Sequence, residues 1–205
     1  MNVIRIATIV EGHGEVESVP LLIRRIAVEI DPSLYIDIKP IIRKPASQLK
    51  KEGELERAVE LVARQIGGKG GILILIDCDG DNECPKYDAP KLLSRAQAAR
   101  SDILISVILA YKEFEAWFIA SAKSVQGKRG LSENLEIVAN PEDIRGAKEW
   151  LSYRMKGNHS YSETLDQPAL TQLFDIQEAR RRANSFDKCY REITYMINAL
   201  RTIRE

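Results

Sequence analysis

The chain has 205 residues, 44% hydrophobic and 29% charged, with 30 basic and 30 acidic side chains. That length suits one domain, or one domain with a helical appendage, and the composition excludes a disordered or collagen-like chain. A net charge of zero argues against holding nucleic acid by bulk charge alone, although it leaves room for a local basic patch.

Apolar runs and helical patterns alternate through the first half. Residues 3–10 are β-branched and nearly continuous, broken only by Arg5, and predict a strand buried on both faces. Residues 16–30 carry Val16, Val19, Leu22, Ile23, Ile26 and Ile30 at helical spacing. Residues 35–42 predict a second strand, with Pro40 marking an edge or a bulge. Leu55, Val59, Val62 and Ile66 define a second amphipathic helix, and the glycines at 67, 68, 70 and 71 a helix stop and turn. Residues 72–76 form a third, fully apolar strand; Asp88 can cap a helix running to about Arg100; residues 103–110 are a fourth strand, and a helix starts at Glu113. Four strands alternating with helices imply a parallel sheet with helices on both faces.

From about Lys123 the pattern turns helical. Residues 135–139 are a weak strand signal; Asn140-Pro141 opens a helix through Leu151, Asp175 with Glu178 reads as a capping box, and Ser185 caps a long last helix. The division expected is an α/β domain over 1–122 and a helical extension over 123–205 packed on it, the two forming a single domain as the alternative.

Three cysteines (Cys78, Cys84, Cys189) and two histidines (His13, His159) are too scattered for a structural zinc site. An odd cysteine count without a signal peptide suits free thiols in the cytoplasm, and no apolar run nears the ~20 residues of a membrane span. A cytoplasmic protein with no membrane partner is expected.

Three acidic groups follow three of the four predicted strands. Glu11 and Glu15 flank Gly12-His13-Gly14; Asp77, Asp79 and Asp81 follow the third strand; Glu113 and Glu115 follow the fourth. Residues after the strands of an open parallel sheet line its carboxyl edge, where ligands bind at the topological switch point. If the strand order is 2-1-3-4, all three groups converge. Converging carboxylates repel one another unless a cation neutralises them, and a cluster of acids without histidine or thiolate suits magnesium or manganese better than zinc. Gly12 and Gly14 would let the backbone turn sharply beside the metal. His13 could shuttle a proton there, or simply be a solvated loop histidine. Each acid alone also has a plain reading as a polar turn or a helix start.

These residues resemble a known family. Glu11-Gly12 after the first strand and Asp77-x-Asp79 after the third resemble the Toprim fold of topoisomerases, primases and the overcoming-lysogenization-defect (OLD) nucleases. Val10-Glu11-Gly12 with Glu15 is closer to the nuclease branch. Over nearly the whole chain, the Asp77–Asp81 run, Glu115-Ala116-Trp117, Tyr161, Asp166-Gln167 and Ser185-Phe186 resemble a small prokaryotic family, domain of unknown function 4276, regarded as Toprim-like. The resemblance implies a Toprim-like, Rossmann-like four-stranded sheet with a helical C-terminal extension. It implies a Mg2+- or Mn2+-dependent phosphodiesterase or nuclease in phage defence or DNA repair, using two ions. Asp77 and Asp79 would bind metal, Glu11 would be ligand or base, and Glu15 would complete the site. Asp81 and Glu115 would support a second ion, and Lys148 is the candidate for stabilising developing charge.

Residues 123–205 hold 14 basic and 12 acidic side chains against 16 and 18 before them. Arg145, Lys148, Arg154 and Lys156, interleaved with Trp150, Tyr153, His159 and Tyr161, could grip phosphates and stack on bases, or form an ordinary basic helix. The expected partner is nucleic acid, DNA before RNA. A separately encoded ATPase and a homodimer are also compatible with the sequence. A haloacid-dehalogenase phosphatase needs its aspartate on the first core strand, and an EF-hand fails because Asn82 stands at the glycine position. The rival from another class is a non-catalytic metal- or nucleotide-binding partner module.

Overall fold

A computed structural model describes residues 3–157 and 159–202. Its sheet is built from β1 (Val3–Val10), β2 (Tyr35–Asp37), β3 (Ile41–Arg43), β4 (Gly71–Cys78) and β5 (Leu104–Tyr111). Every pairing is parallel, in the order β2-β1-β4-β5, with β3 also on β1. The sheet therefore has five strands where the sequence predicts four. The single strand expected over 35–42 is divided at Pro40. Tyr35–Asp37 pairs with Val3–Arg5, and Ile41–Arg43 with Thr8–Val10. Proline has no N–H to give the ladder, but its carbonyl still accepts from the Thr8 N–H at 3.0 Å and keeps the chain against β1 through the gap.

All eight residues of β4 are buried, because helices cover both sheet faces. On one face Ile9, Ile74, Ile76 and Leu109 pack against α3 (Glu54–Gln65) and α4 (Pro85–Ala99) through Val59, Val62 and Ala96. On the other, Ile6, Val10, Leu73 and Ile108 pack with α1 (Glu15–Ile30) and with the later helices. Those are α5 (Ala116–Ala120), α6 (Ala122–Val125), α7 (Ala147–Ser152), α8 (Glu163–Leu173), α9 (Ile176–Arg182) and α10 (Asn184–Thr202); a short α2 (Ala46–Leu49) follows β3. One apolar cluster runs without interruption from Ile4 to Leu200, so the helical part shares the core of the sheet.

Several local expectations shift. Residues 135–139 form no strand, and the helix expected over 140–151 is a 3-10 turn (Pro141–Asp143) followed by α7, broken at Gly146 with φ 70°. Helix α4 starts at Pro85; the Asp88 carboxylate reaches back to accept from the Cys84 N–H at 2.8 Å. Asp175 does cap α9, accepting from the Glu178 N–H at 2.8 Å. Ser185 does not cap α10. Glu142 accepts from the Asn184 and Ser185 N–H groups at 2.8 and 2.9 Å, and the Ser185 hydroxyl instead accepts from the Trp117 indole at 2.9 Å. No described helix is long and apolar enough to cross a membrane.

Five aromatic rings fasten the two parts of the chain together. Phe114, Trp117 and Phe118 interlock with Phe174 and Phe186 at centroid distances of 4.5 to 5.6 Å. Phe174 is fully buried between two of these rings and lies under the Arg25 guanidinium. Phe174→Ala is expected to cost about 3–5 kcal/mol, read as a lower urea midpoint with an unchanged slope.

Candidate functional site

Parallel pairing sets where the acids fall. Val10 is opposite Leu75 and Asp77 is opposite Ala110, so the loops leaving β1, β4 and β5 open side by side at the carboxyl edge. Each loop is then tied to the next by a carboxylate that accepts a backbone N–H. Glu11 accepts from Asp77 at 3.2 Å, and Asp77 accepts from Phe114 at 3.0 Å. Glu113 accepts from Ala147 and Lys148, both at 3.2 Å, capping the start of α7. The Lys148 ammonium stands 4.0 Å from Asp77 and 3.9 Å from Glu163 at the start of α8. Glu163 accepts from the Gly14 N–H at 3.3 Å, which returns the circuit to the loop after β1. Within that loop, Glu15 accepts from the Gly12 N–H.

The circuit surrounds a cleft of about 450 Å³. Of the residues singled out from the sequence, Glu11, Glu15, Asp77, Asp79, Glu113 and Lys148 line it. Asp81 and Glu115 do not. Asp81 is exposed and paired with Arg145 at 2.5 Å. Glu115 is fully buried, with one carboxylate oxygen accepting from the Tyr161 hydroxyl at 2.9 Å and the Gln167 amide at 3.0 Å; its other oxygen has no hydrogen-bond partner. His13 lines the cleft from an exposed position.

Two further lining residues escaped the sequence reading. Glu163 follows the first strand by about 150 residues, and nothing local links it to Gly14. Arg43, whose guanidinium donates to the Glu11 carbonyl at 3.3 Å, ends β3. The rule that found the acids, position just after a strand, would have found it if applied to cations.

The glycines have a different role from the one expected. Neither Gly12 nor Gly14 has a positive φ; Gly14 is helical at φ −68°. Both are needed for close approach. A Cβ on Gly14 would overlap the Glu163 carbonyl and the Gln167 side chain, and one on Gly12 the Glu163 carboxylate. α8 can therefore lie directly on the β1–α1 loop.

The electrostatics record an excess of negative charge. Burial raises the Asp77 carboxyl well above the usual range, and Glu15 and Glu115 raise it further. Burial, then Glu115 and Glu11, push Glu15 up to about 7 despite the Gly12 N–H. Burial likewise raises Glu11 and Glu115, each against hydrogen bonds that favour its charged form. Burial alone would lower Lys148, but Glu115, Asp77, Glu163 and Glu113 outweigh it and strengthen its hold on the proton.

Among the described residues, no three acidic, histidine or cysteine side chains are grouped tightly enough to form a ready coordination shell. The cleft is an open, acid-lined recess rather than a closed cage. Its lining donors are almost entirely carboxylate oxygens, and behind that lining Glu115 has a buried oxygen with no hydrogen-bond partner among the described residues. Mg2+ keeps several waters and takes one or two carboxylates plus substrate phosphates. The residues present fit a hard divalent ion on those terms.

Fold and site together define a parallel α/β protein with an acidic recess at the carboxyl edge of its sheet. A family model described as Domain of unknown function (DUF4276) matches residues 10–194, and the chain belongs to that family. No curated protein and no solved structure matches it.

Two outcomes are expected. Gly14→Ala should cost about 1–3 kcal/mol by overpacking against α8, lowering the melting temperature by roughly 2–4 °C per kcal/mol. Glu15 binds its proton more tightly folded than unfolded, so its stabilising contribution is complete below the unfolded value of 4.5 and is lost as pH rises to about 7. In metal-free protein, Glu15→Gln should therefore match wild type in melting temperature near pH 4.5. It should become progressively the more stable of the two towards pH 7.5.

Proposed function

We propose that the cleft is the active site of a Mg2+- or Mn2+-dependent phosphodiester hydrolase acting on nucleic acid, of Toprim type. One observation carries this reading. Glu11 and Asp77, at the ends of adjacent parallel strands, are locked to one another through the Asp77 N–H and open with Glu15 and Asp79 onto one recess, where their charges exceed what Lys148 can balance. The strand order supports it as well, because β1 and β4 flank the switch point where an open parallel sheet takes its ligand.

Glu11, Asp77 and Asp79 would hold the ion, with Glu15 and the deeper Glu115 adding negative charge around it. A divalent ion there supplies activation of water and neutralisation of phosphate charge, and a second ion would stabilise the leaving oxygen. The chain's own groups contribute orientation and charge. The Phe114 N–H fixes one Asp77 oxygen, so the other, facing Lys148, is the one left to the cleft. Glu15, held near neutral pH, can take or give a proton beside Glu11. Lys148 and Arg43 offer cationic donors to a phosphodiester entering between them. Lys148 is anchored for that purpose, since Glu113 binds the first N–H groups of its helix.

Asp77→Asn and Glu11→Gln are each expected to reduce cleavage of single-stranded or plasmid DNA by at least about 100-fold, because each removes a charge that the ion needs. The check is a gel assay with Mg2+ or Mn2+ across DNA and RNA substrates, with and without EDTA. Undiminished cleavage in Asp77→Asn, or cleavage that survives EDTA, removes the hydrolase reading. Mn2+ binding by wild type without cleavage of any nucleic acid favours the non-catalytic partner module.

A further inference from the structure

The deepest acid of the cluster is held by the C-terminal part of the chain in an unequal way. Glu115 stands just before α5, fully buried, and two side chains from 46 and 52 residues downstream reach it. Both choose the same oxygen. The Tyr161 hydroxyl donates at 2.9 Å and the Gln167 amide at 3.0 Å, while the second oxygen, equally buried, receives nothing. Buried carboxylates normally find donors for both oxygens. Here the partners are close by and concentrated on one side.

Among the described residues, nothing else fills the gap. Lys148, the cation that most strongly feels Glu115, lies against Asp77 and Glu163 instead. Gln167 also lies close to the backbone of the cleft, its side-chain oxygen 2.6 Å from where a Cβ on Gly14 would stand. A ring that only filled space at position 161 would not need a hydroxyl, and an apolar side chain could fill position 167.

We propose that Tyr161 and Gln167 are positioning residues: by saturating one oxygen of Glu115 they orient the other towards the cation of the acidic cleft. They do not touch the ion. They set the angle of a carboxylate that lies behind the cleft lining, close enough to Asp77 and Glu15 to raise both, in the way that outer hydrogen-bond partners orient metal ligands generally. This inference rests on the metal-dependent reading above.

The test is Mn2+ affinity of the full-length protein, measured by calorimetry or by electron paramagnetic resonance, with no substrate present. Tyr161→Phe keeps the ring and Gln167→Met keeps the length, so each removes little besides a donor. Each is expected to weaken Mn2+ binding by about 10–100-fold. Tyr153→Phe, at a position 85% exposed, should bind as wild type does. Introduced on top of Glu115→Gln, Tyr161→Phe should cause no further weakening, because its effect passes through Glu115. If that background binds too weakly to measure, the two single variants decide. Melting temperatures identify a variant that fails to fold, and the other variant then carries the test. Wild type binding Mn2+ with both single variants within twofold of it overturns this inference and leaves the metal site standing. Wild type binding no Mn2+ removes the metal site, and the inference with it.

Discussion

The structure turns on a surplus of carboxylates that the fold places at one sheet edge and only partly neutralises. Glu11, Glu15, Asp77 and Glu115 are all shifted towards protonation, and burial is the leading cause at each. An uncompensated buried charge is among the most expensive features a protein can carry. The chain lowers that cost with main-chain N–H groups. Asp77, Phe114, Gly12 and the first turn of α7 each give an N–H to a strand-end acid. Peptide donors fix direction but bring only partial charge, and Lys148 brings a single full one. What is left is a recess whose carboxylates outnumber the cations, Lys148 and Arg43, that line it.

Parallel pairing makes this arrangement unavoidable once the sequence puts acids after its strands. Strands of one polarity bring all their carboxyl ends to one edge, and the β1–β4 register leaves Glu11 and Asp77 close enough to bond. The β2–β3 side contributes Arg43 by the same rule. The strand split at Pro40 matters here. It lets β3 resume against Thr8–Val10 and carry Arg43 level with the end of β1.

What could be read from the sequence follows the range of each interaction. The buried strands, α1, α3 and the Asp175 cap are written in local periodicity and local chemistry, and the parallel order turned local strand ends into a shared edge. Other features depend on contacts across long stretches of chain. Asp81 has the same local setting as Asp79, yet Arg145 draws it out to solvent. Ser185 looks like a cap until Trp117 takes its hydroxyl and Glu142 takes its place. Gly12 and Gly14 looked like turn residues because the helix that presses on them lies about 150 positions away.

The same range argument changes the standing of the helical part. Residues beyond 123 stand out in the sequence by their helical pattern and a slight excess of positive charge, and several of those cations are engaged locally: Arg154 with Glu136, Lys156 with Glu133, and Arg180 with Asp187. Arg145 and Arg201 reach back to Asp81 and Asp31 in the first part, and Lys148 is turned to the cleft. Tyr161, Glu163 and Gln167 arrive from the same stretch, Tyr161 and Gln167 bonded to Glu115 and Glu163 to the Gly14 N–H. The strand ends therefore contribute the carboxylates of the cleft while the helices contribute their counter-charge and orientation. Neither half contains the site. The balance of thirty acids and thirty bases conceals an exchange between the two, in which an acidic excess in the first part is matched by a basic excess in the second.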